Sequence, residues 1–240
     1  MDWTRFPDYE ALCRKIGEEI GGAVAQKPGA LLCLAAGNTS LGVFDQLVRM
    51  ENEGALDLSA SRFVAMDEWL GMNESTPGSC SDFLNRNFLS RLRRGPCAVR
   101  LVNGKAEDPE EECRQLACFI EENGGIDYLL LGCGMNGHLA LNEPGTPFQS
   151  TVHTVRLDST TRQVGQKYFQ HPVELQGGVT IGFQEISRSR RVVLAFNTAA
   201  KRPVLARLME SGVTEELPAS FLKTLDQASV FYEAESDPRG

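Results

Sequence analysis

Apolar residues recur at helical spacing through "DYEALCRKIGEEIGGAVAQ" (residues 8–26), and the segment after it, "ALLCLAA" (30–36), is an unbroken apolar run. The first pattern predicts an amphipathic helix and the second a strand buried on both faces. Leu41 to Arg49 again reads as a helix, and "RFVAM" (62–66) as a short strand. Next come a helix near Ser81 to Leu92, the apolar "CAVRLV" (97–102), and an acidic-fronted helix in "EDPEEECRQLACFIEEN" (107–123). The Asp108-Pro109 start of that helix suits an N-cap and first turn. "IDYLLL" (126–131) is the next buried strand. The rest predicts a strand at 152–157, a helix near 159–169, strands at 178–182 and 191–196, a helix at 199–211 and a last strand near 228–232. Such alternation implies a layered α/β sandwich around a mostly parallel sheet.

A chain of 240 residues can bury one substantial core, and no internal repeat, low-complexity linker or composition change divides it, so residues 1–240 are expected to form a single domain. The tail "ESDPRG" is expected to be loose. No apolar run approaches ~18 residues, which excludes a spanning helix, and "MDWTRFPDYE" lacks the basic-then-apolar order of a signal peptide. The seven cysteines are odd in number, scattered and never spaced C-x-x-C, as expected of reduced, mostly packing residues in a cytoplasmic protein. A net charge of −8, with one dense basic cluster at Arg91, Arg93 and Arg94, argues against a nucleic-acid partner. A small anionic ligand stays open, because a few local donors can outweigh net charge.

Chemistry concentrates where strands end. "LGCGMNGHLALNEPG" (131–145) follows an apolar strand and contains G-x-G-x-x-G at Gly132, Gly134 and Gly137, with Asp158 a further 21 residues on. That fingerprint holds a dinucleotide only when a crossover helix follows. Here Pro144, Gly145 and Pro147 stop any helix soon after His138, so the glycines serve something else. His138 and Glu143 either meet a ligand as acid and base partners or pair to stiffen the loop; spacing alone leaves both readings open.

Three other strand ends carry polar groups. Gly37, Asn38, Thr39 and Ser40 in "GNTS" make a glycine turn into a helix start, which is either an anion site or a simple N-cap. "MDEW" places Asp67 and Glu68 on a loop, as solvated acids or, if desolvated, as a general base. Lys201 in "NTAAK" sits near a helix start, where a cation is unfavourable unless an anion intervenes. Together these ends suggest one pocket with a phosphate end and an acid/base end, suited to a sugar phosphate.

"GNTS", "MDEW", "GMNGHLALNEPG", "NTAAK" and "LPASFL", in this order from about Ala30 to Tyr232, resemble the glucosamine-6-phosphate deaminase family, with N-G-H-x-x-x-N-E-P the most specific element. The resemblance implies a Rossmann-like three-layer fold and conversion of an aldose amino-sugar phosphate to a ketose phosphate with release of ammonia, without metal or organic cofactor. It implies that Asp67 moves a proton between C2 and C1, that His138 opens the sugar ring, and that Glu143 orients or polarises His138. Gly37, Thr39 and Ser40, with neighbouring Asn38 and with Lys201, would hold the phosphate. "MDEW" followed by "TPGSC", and the asparagine before "GH", look most like the galactosamine-6-phosphate deaminase/isomerase branch. Relatives include monomers and hexamers, so a homo-oligomer is compatible with the resemblance.

Two positions depart from the best-known members. Asn136 stands where they carry aspartate; it can accept a hydrogen bond from the histidine but gives no negative charge to an imidazolium. A phosphate-binding arginine falls near Lys167 by a gapless count. Two rival readings share the fold. A 6-phosphogluconolactonase usually reads "D-G-H-T-A-S-L-F-P" at this loop, unlike the N-E-P here. A sugar-phosphate-sensing regulator would need a DNA-binding segment, for which the roughly 30 residues before the first core strand leave no room.

Overall fold

The computed structural model describes residues 1–239. In chain order its elements are β1 (Asp2–Phe6), α1 (Tyr9–Gln26), β2 (Leu31–Leu34), α2 (Leu41–Asn52), β3 (Arg62–Val64), β4 (Asp67–Trp69), α3 (Cys80–Asn87), β5 (Ala98–Arg100) and α4 (Pro109–Glu122). There follow β6 (Tyr128–Gly132), β7 (His153–Arg156), α5 (Ser159–Gly165), β8 (Gly177–Thr180), α6 (Phe183–Arg188), β9 (Arg191–Phe196), α7 (Arg202–Glu210) and β10 (Ala228–Glu233). Single 3-10 turns lead into α2 (Asn38–Ser40) and α7 (Ala199–Lys201).

Seven strands form one sheet in the order β1-β10-β9-β6-β2-β3-β5, parallel throughout. Its central strands are the continuous apolar runs: Leu31 through Leu34 and Val192 through Leu194 are fully buried, as strands covered on both faces must be. Helix α1 buries Leu12, Ile16, Ile20 and Val24, one per turn, and Asp8 caps it by accepting the Ala11 N–H at 2.8 Å. Asp108 caps α4 in the same way through the N–H groups of Glu110 and Glu111, with Pro109 at the first helical position. From β2 the chain steps outward through β3 to β5, then returns to place β6 on the other side of β2. That reversal opens a crevice beyond the carboxyl ends of β2 and β6, where ligands bind in open α/β sheets.

Four expectations need correction. The strands expected at 152–157 and 178–182 do not join the parallel sheet; as β7 and β8 they build a second, antiparallel sheet in the order β4-β8-β7. "MDEW" is not a loop, since Asp67–Trp69 is β4, with Asp67 opposite Thr180. This small sheet has its own apolar cluster of Trp69, Met72, Leu141, Leu157 and Leu175. The polar N-terminal "DWTRF", for which no strand is expected, is edge strand β1 paired with β10; with neither face well buried it shows no alternation. Finally, "ESDPRG" is not loose across its described part: Ser236 is fully buried and Asp237 pairs with Arg5 (2.9 Å) and Arg239 (3.0 Å), tying the tail to β1. No helix among the described residues is long and apolar enough to cross a membrane.

Candidate active site

The loops leaving β2, β3, β6 and β9, with the first turns of α3 and α5, enclose a cleft of about 220 Å³. Asp67, Cys80, His138, Thr161, Lys167 and Lys201 all line it. The four strand ends singled out from the sequence thus converge on one space.

Asp67 is only 8% exposed. Burial, then the charge of adjacent Glu68, pushes its carboxyl up to about 7, against the opposing effect of a hydrogen bond with the Cys80 thiol. A carboxylate tuned to neutrality is a competent general base. Glu68 plays a different part. It is fully buried, its Oε1 accepts the N–H groups of Trp69 (2.9 Å) and Cys80 (3.0 Å), and its Oε2 accepts that of Ser81 (2.8 Å). Burial raises the Glu68 carboxyl while these bonds oppose the rise. The effect is to fasten the start of α3 beside β4, which sets Cys80 next to Asp67.

The glycine loop is folded onto itself, with Gly134 N–H donating to His138 O (3.0 Å) and Gly137 N–H to Gly134 O (3.1 Å). The imidazole lies so close to Gly134 that a Cβ there would overlap Nδ1, Cε1 and Nε2. Gly137 has φ +97° and abuts Leu217. These glycines therefore admit a side-chain ring and a packing contact, and the acid downstream of them, Asp158, caps α5 through the Thr160 N–H (2.8 Å). Asn142 is fully buried and holds the loop closed by donating to Leu139 O (2.9 Å) and Ile181 O (2.8 Å).

His138 Nδ1 lies 3.4 Å from Glu143 Oε2 and 3.0 Å from Thr161 Oγ1. Burial would raise the Glu143 carboxyl, but its hydrogen bond and charge interaction with His138, with the bonds from Thr161 and Asn136, hold it below the ordinary value. The expected bond between Asn136 and the imidazole is not present. Asn136 Oδ1 accepts the backbone N–H of His138 (3.2 Å), and Nδ2 donates to Glu143 Oε2 (2.7 Å). The asparagine side chain folds back on the following peptide, as in an Asx turn, and bonds the main chain of His138 rather than its ring.

At the other end, Gly37 to Ser40 form the turn into α2. Tyr9 braces this turn from outside, its hydroxyl donating to Thr39 O (2.8 Å) and accepting the Gly42 N–H (2.8 Å). Thr39 Oγ1 donates to Asn197 Oδ1 (3.0 Å), joining the loops after β2 and β9, and the Tyr168 hydroxyl faces the Asn38 N–H. Ser40 is buried within the turn. Lys201 Nζ donates to Cys133 O. Burial lowers the Lys201 ammonium, with the charge of Lys167 adding to the effect, and burial also lowers Lys167 at the rim. An anion between them would relieve both. Thr161, Tyr168 and Cys80 escape a reading of the sequence because each meets the site only through tertiary packing.

The chain as a whole is similar to known proteins. Residues 9–231 match the family model described as "Glucosamine-6-phosphate isomerases/6-phosphogluconolactonase". The chain is 35% identical over 224 residues to a glucosamine-6-phosphate deaminase of Geobacillus sp. (strain WCH70), covering 93% of this chain and 89% of the relative. It is 32% identical over 229 residues to glucosamine-6-phosphate deaminase 1 of Bacillus subtilis (strain 168), covering 95% of each. Its structure superposes on that of a monomeric glucosamine-6-phosphate deaminase with TM-score 0.92 at 31% identity, covering 98% of each chain. A 6-phosphogluconolactonase from Shewanella baltica OS155 gives TM-score 0.79 at 18% identity, again over 98% of each chain, and shares the fold.

Proposed function

Because the chain belongs to the family of glucosamine-6-phosphate isomerases and 6-phosphogluconolactonases, we propose that it is a hexosamine-6-phosphate deaminase/isomerase in which the groups just described divide the chemistry. The observation that carries this reading is a buried carboxyl held near neutrality, Asp67, in one cleft with His138, Lys201 and Lys167.

The turn at Gly37 to Ser40, with Lys201 and Lys167, holds the 6-phosphate. That fixes the sugar with C1 and C2 toward Asp67 and the ring oxygen toward His138. His138 moves a proton between the C1 hydroxyl and the ring oxygen, which opens the ring to the aldehyde, and Glu143 keeps the imidazole in place. Asp67 then removes the C2 proton to give an enolamine and returns a proton to C1. The resulting C2 imine takes up water, and ammonia leaves from the tetrahedral adduct to give the ketohexose 6-phosphate. A base near pH 7 matches this proton transfer, since a carboxylate of ordinary pKa is weaker and a stronger base would be protonated in neutral solution.

The galacto epimer is the finer assignment we infer, supported by "MDEW" with "TPGSC" and by Asn136. Separate incubations with galactosamine 6-phosphate and glucosamine 6-phosphate, each followed for ammonia and ketose phosphate, test both levels. Faster turnover of the galacto substrate supports the epimer, and faster turnover of the gluco substrate replaces it. Silence with both, with hydrolysis of a phosphogluconolactone above its spontaneous rate, overturns the deaminase reading.

A further inference from the structure

The imidazole of His138 has two partners at Nδ1, and the nearer one is not the carboxylate. Thr161 Oγ1 lies 3.0 Å away and Glu143 Oε2 3.4 Å. Thr161 belongs to the first turns of α5, is 4% exposed and lines the cleft. Its hydroxyl has one hydrogen to donate and lone pairs that accept. Asn136 Nδ2, 2.7 Å from Glu143 Oε2 and 3.5 Å from Thr161 Oγ1, can only donate to either.

A lone pair on Nδ1 would face the Glu143 carboxylate oxygen 3.4 Å away, whereas an Nδ1–H is attracted to it and is accepted by Thr161 Oγ1 at 3.0 Å. The Glu143 carboxylate is an acceptor, its Oε2 taking the Asn136 Nδ2 hydrogen (2.7 Å) and its Oε1 the Asp158 N–H (3.3 Å). An Nδ1–H therefore suits both neighbours, and Oγ1, accepting it, keeps its own hydrogen free for the carboxylate. Nδ1 must then carry a hydrogen, and the lone pair of the neutral imidazole is on Nε2, across the ring from Thr161.

We propose that Thr161 is a positioning residue, its hydroxyl standing between His138 and Glu143 so as to hold His138 in the Nδ1–H tautomer with Nε2 free toward the cleft. The inference rests on the reading of His138 as the ring-opening group, since Nε2 must begin as a proton acceptor there. Its test does not depend on substrate.

The deciding observable is the tautomer itself, read by long-range ¹H–¹⁵N correlation on uniformly labelled protein at pH 8. With only three histidines in the chain, His138→Gln assigns the signals. Wild type and Thr161→Ser are expected to show Nδ1–H at His138. Thr161→Val, which keeps the shape and loses the hydroxyl, is expected to show a mixture containing Nε2–H, with kcat down about tenfold or more, KM little changed, and kcat restored in Thr161→Ser. An Nε2–H tautomer in the wild type overturns the inference even if the valine variant fails to fold. So does a folded valine variant with the wild-type spectrum and wild-type kcat. Absence of turnover on any hexosamine phosphate, with the tautomers behaving as stated, would count against the deaminase reading and leave the role of Thr161 standing.

Discussion

Replacing Asp67 by asparagine should make the protein more stable and nearly inactive, and the gain in stability should grow with pH in a defined window. The carboxyl has an ordinary pKa of 3.8 and is raised by burial and by Glu68 to about 7 in the folded protein. Between those values the unfolded chain is ionised at Asp67 while the folded one is protonated, so folding takes up a proton. The group's unfavourable contribution is therefore absent below about pH 4, grows as pH rises, and is complete above pH 7. At about 1.36 kcal/mol per pH unit, the gap amounts to ~4 kcal/mol, an upper limit because the cleft relaxes and admits water. Asparagine keeps the size and has no charge to bury. Urea unfolding of both proteins from pH 4.5 to pH 8.5 should show an advantage for Asp67→Asn of no more than ~1 kcal/mol at the acid end, rising to ~2–4 kcal/mol at pH 8. A difference that stays flat with pH, or falls as pH rises, would refute the claim that burial tunes this acid. The same property governs catalysis: wild-type kcat/KM should fall about tenfold per pH unit below 7, and the variant should lose at least ~1,000-fold in kcat.

Lys201→Met should raise KM for the phosphorylated amino sugar about 10–100-fold, the loss of a charge-assisted bond, and leave the weak reaction of the unphosphorylated sugar unchanged in steady-state assays. Gly134→Ala should lower kcat by at least ~10-fold while circular dichroism stays native, because its Cβ would occupy the space of the His138 ring. Asn142→Ala removes one donor each from the carbonyls of Leu139 and Ile181, which keep the residue 142 N–H and the Thr180 hydroxyl, and should destabilise the fold by ~1–2 kcal/mol in denaturant titration.

The parts of the molecule legible in the sequence are those whose signal is local. Leu31 to Leu34 and Arg191 to Phe196 announce buried parallel strands because both faces are covered, and Asp8 and Asp108 announce helix starts because a cap is a contact within three residues. The convergence of four strand ends is legible too, because a parallel α/β sheet sends all those ends to one side. What escapes depends on partners distant in sequence. β4 is a strand only because Thr180 and its neighbours come to pair with it, and β1 only because β10 offers an edge. The orientation of His138 is half legible: Glu143 can be read from five residues away, whereas Thr161 arrives from α5. Asn136 has the chemistry of a partner for the ring, yet its short side chain turns back to the peptide and the carboxylate.

The measurement that bears most directly on the account is the stoichiometry of products from a hexosamine 6-phosphate, with wild type and Asp67→Asn compared in the same assay. The account predicts one ammonia for each ketohexose 6-phosphate from the wild type, and neither product above background from the variant. Ketose phosphate without ammonia, or undiminished turnover by Asp67→Asn, would contradict it.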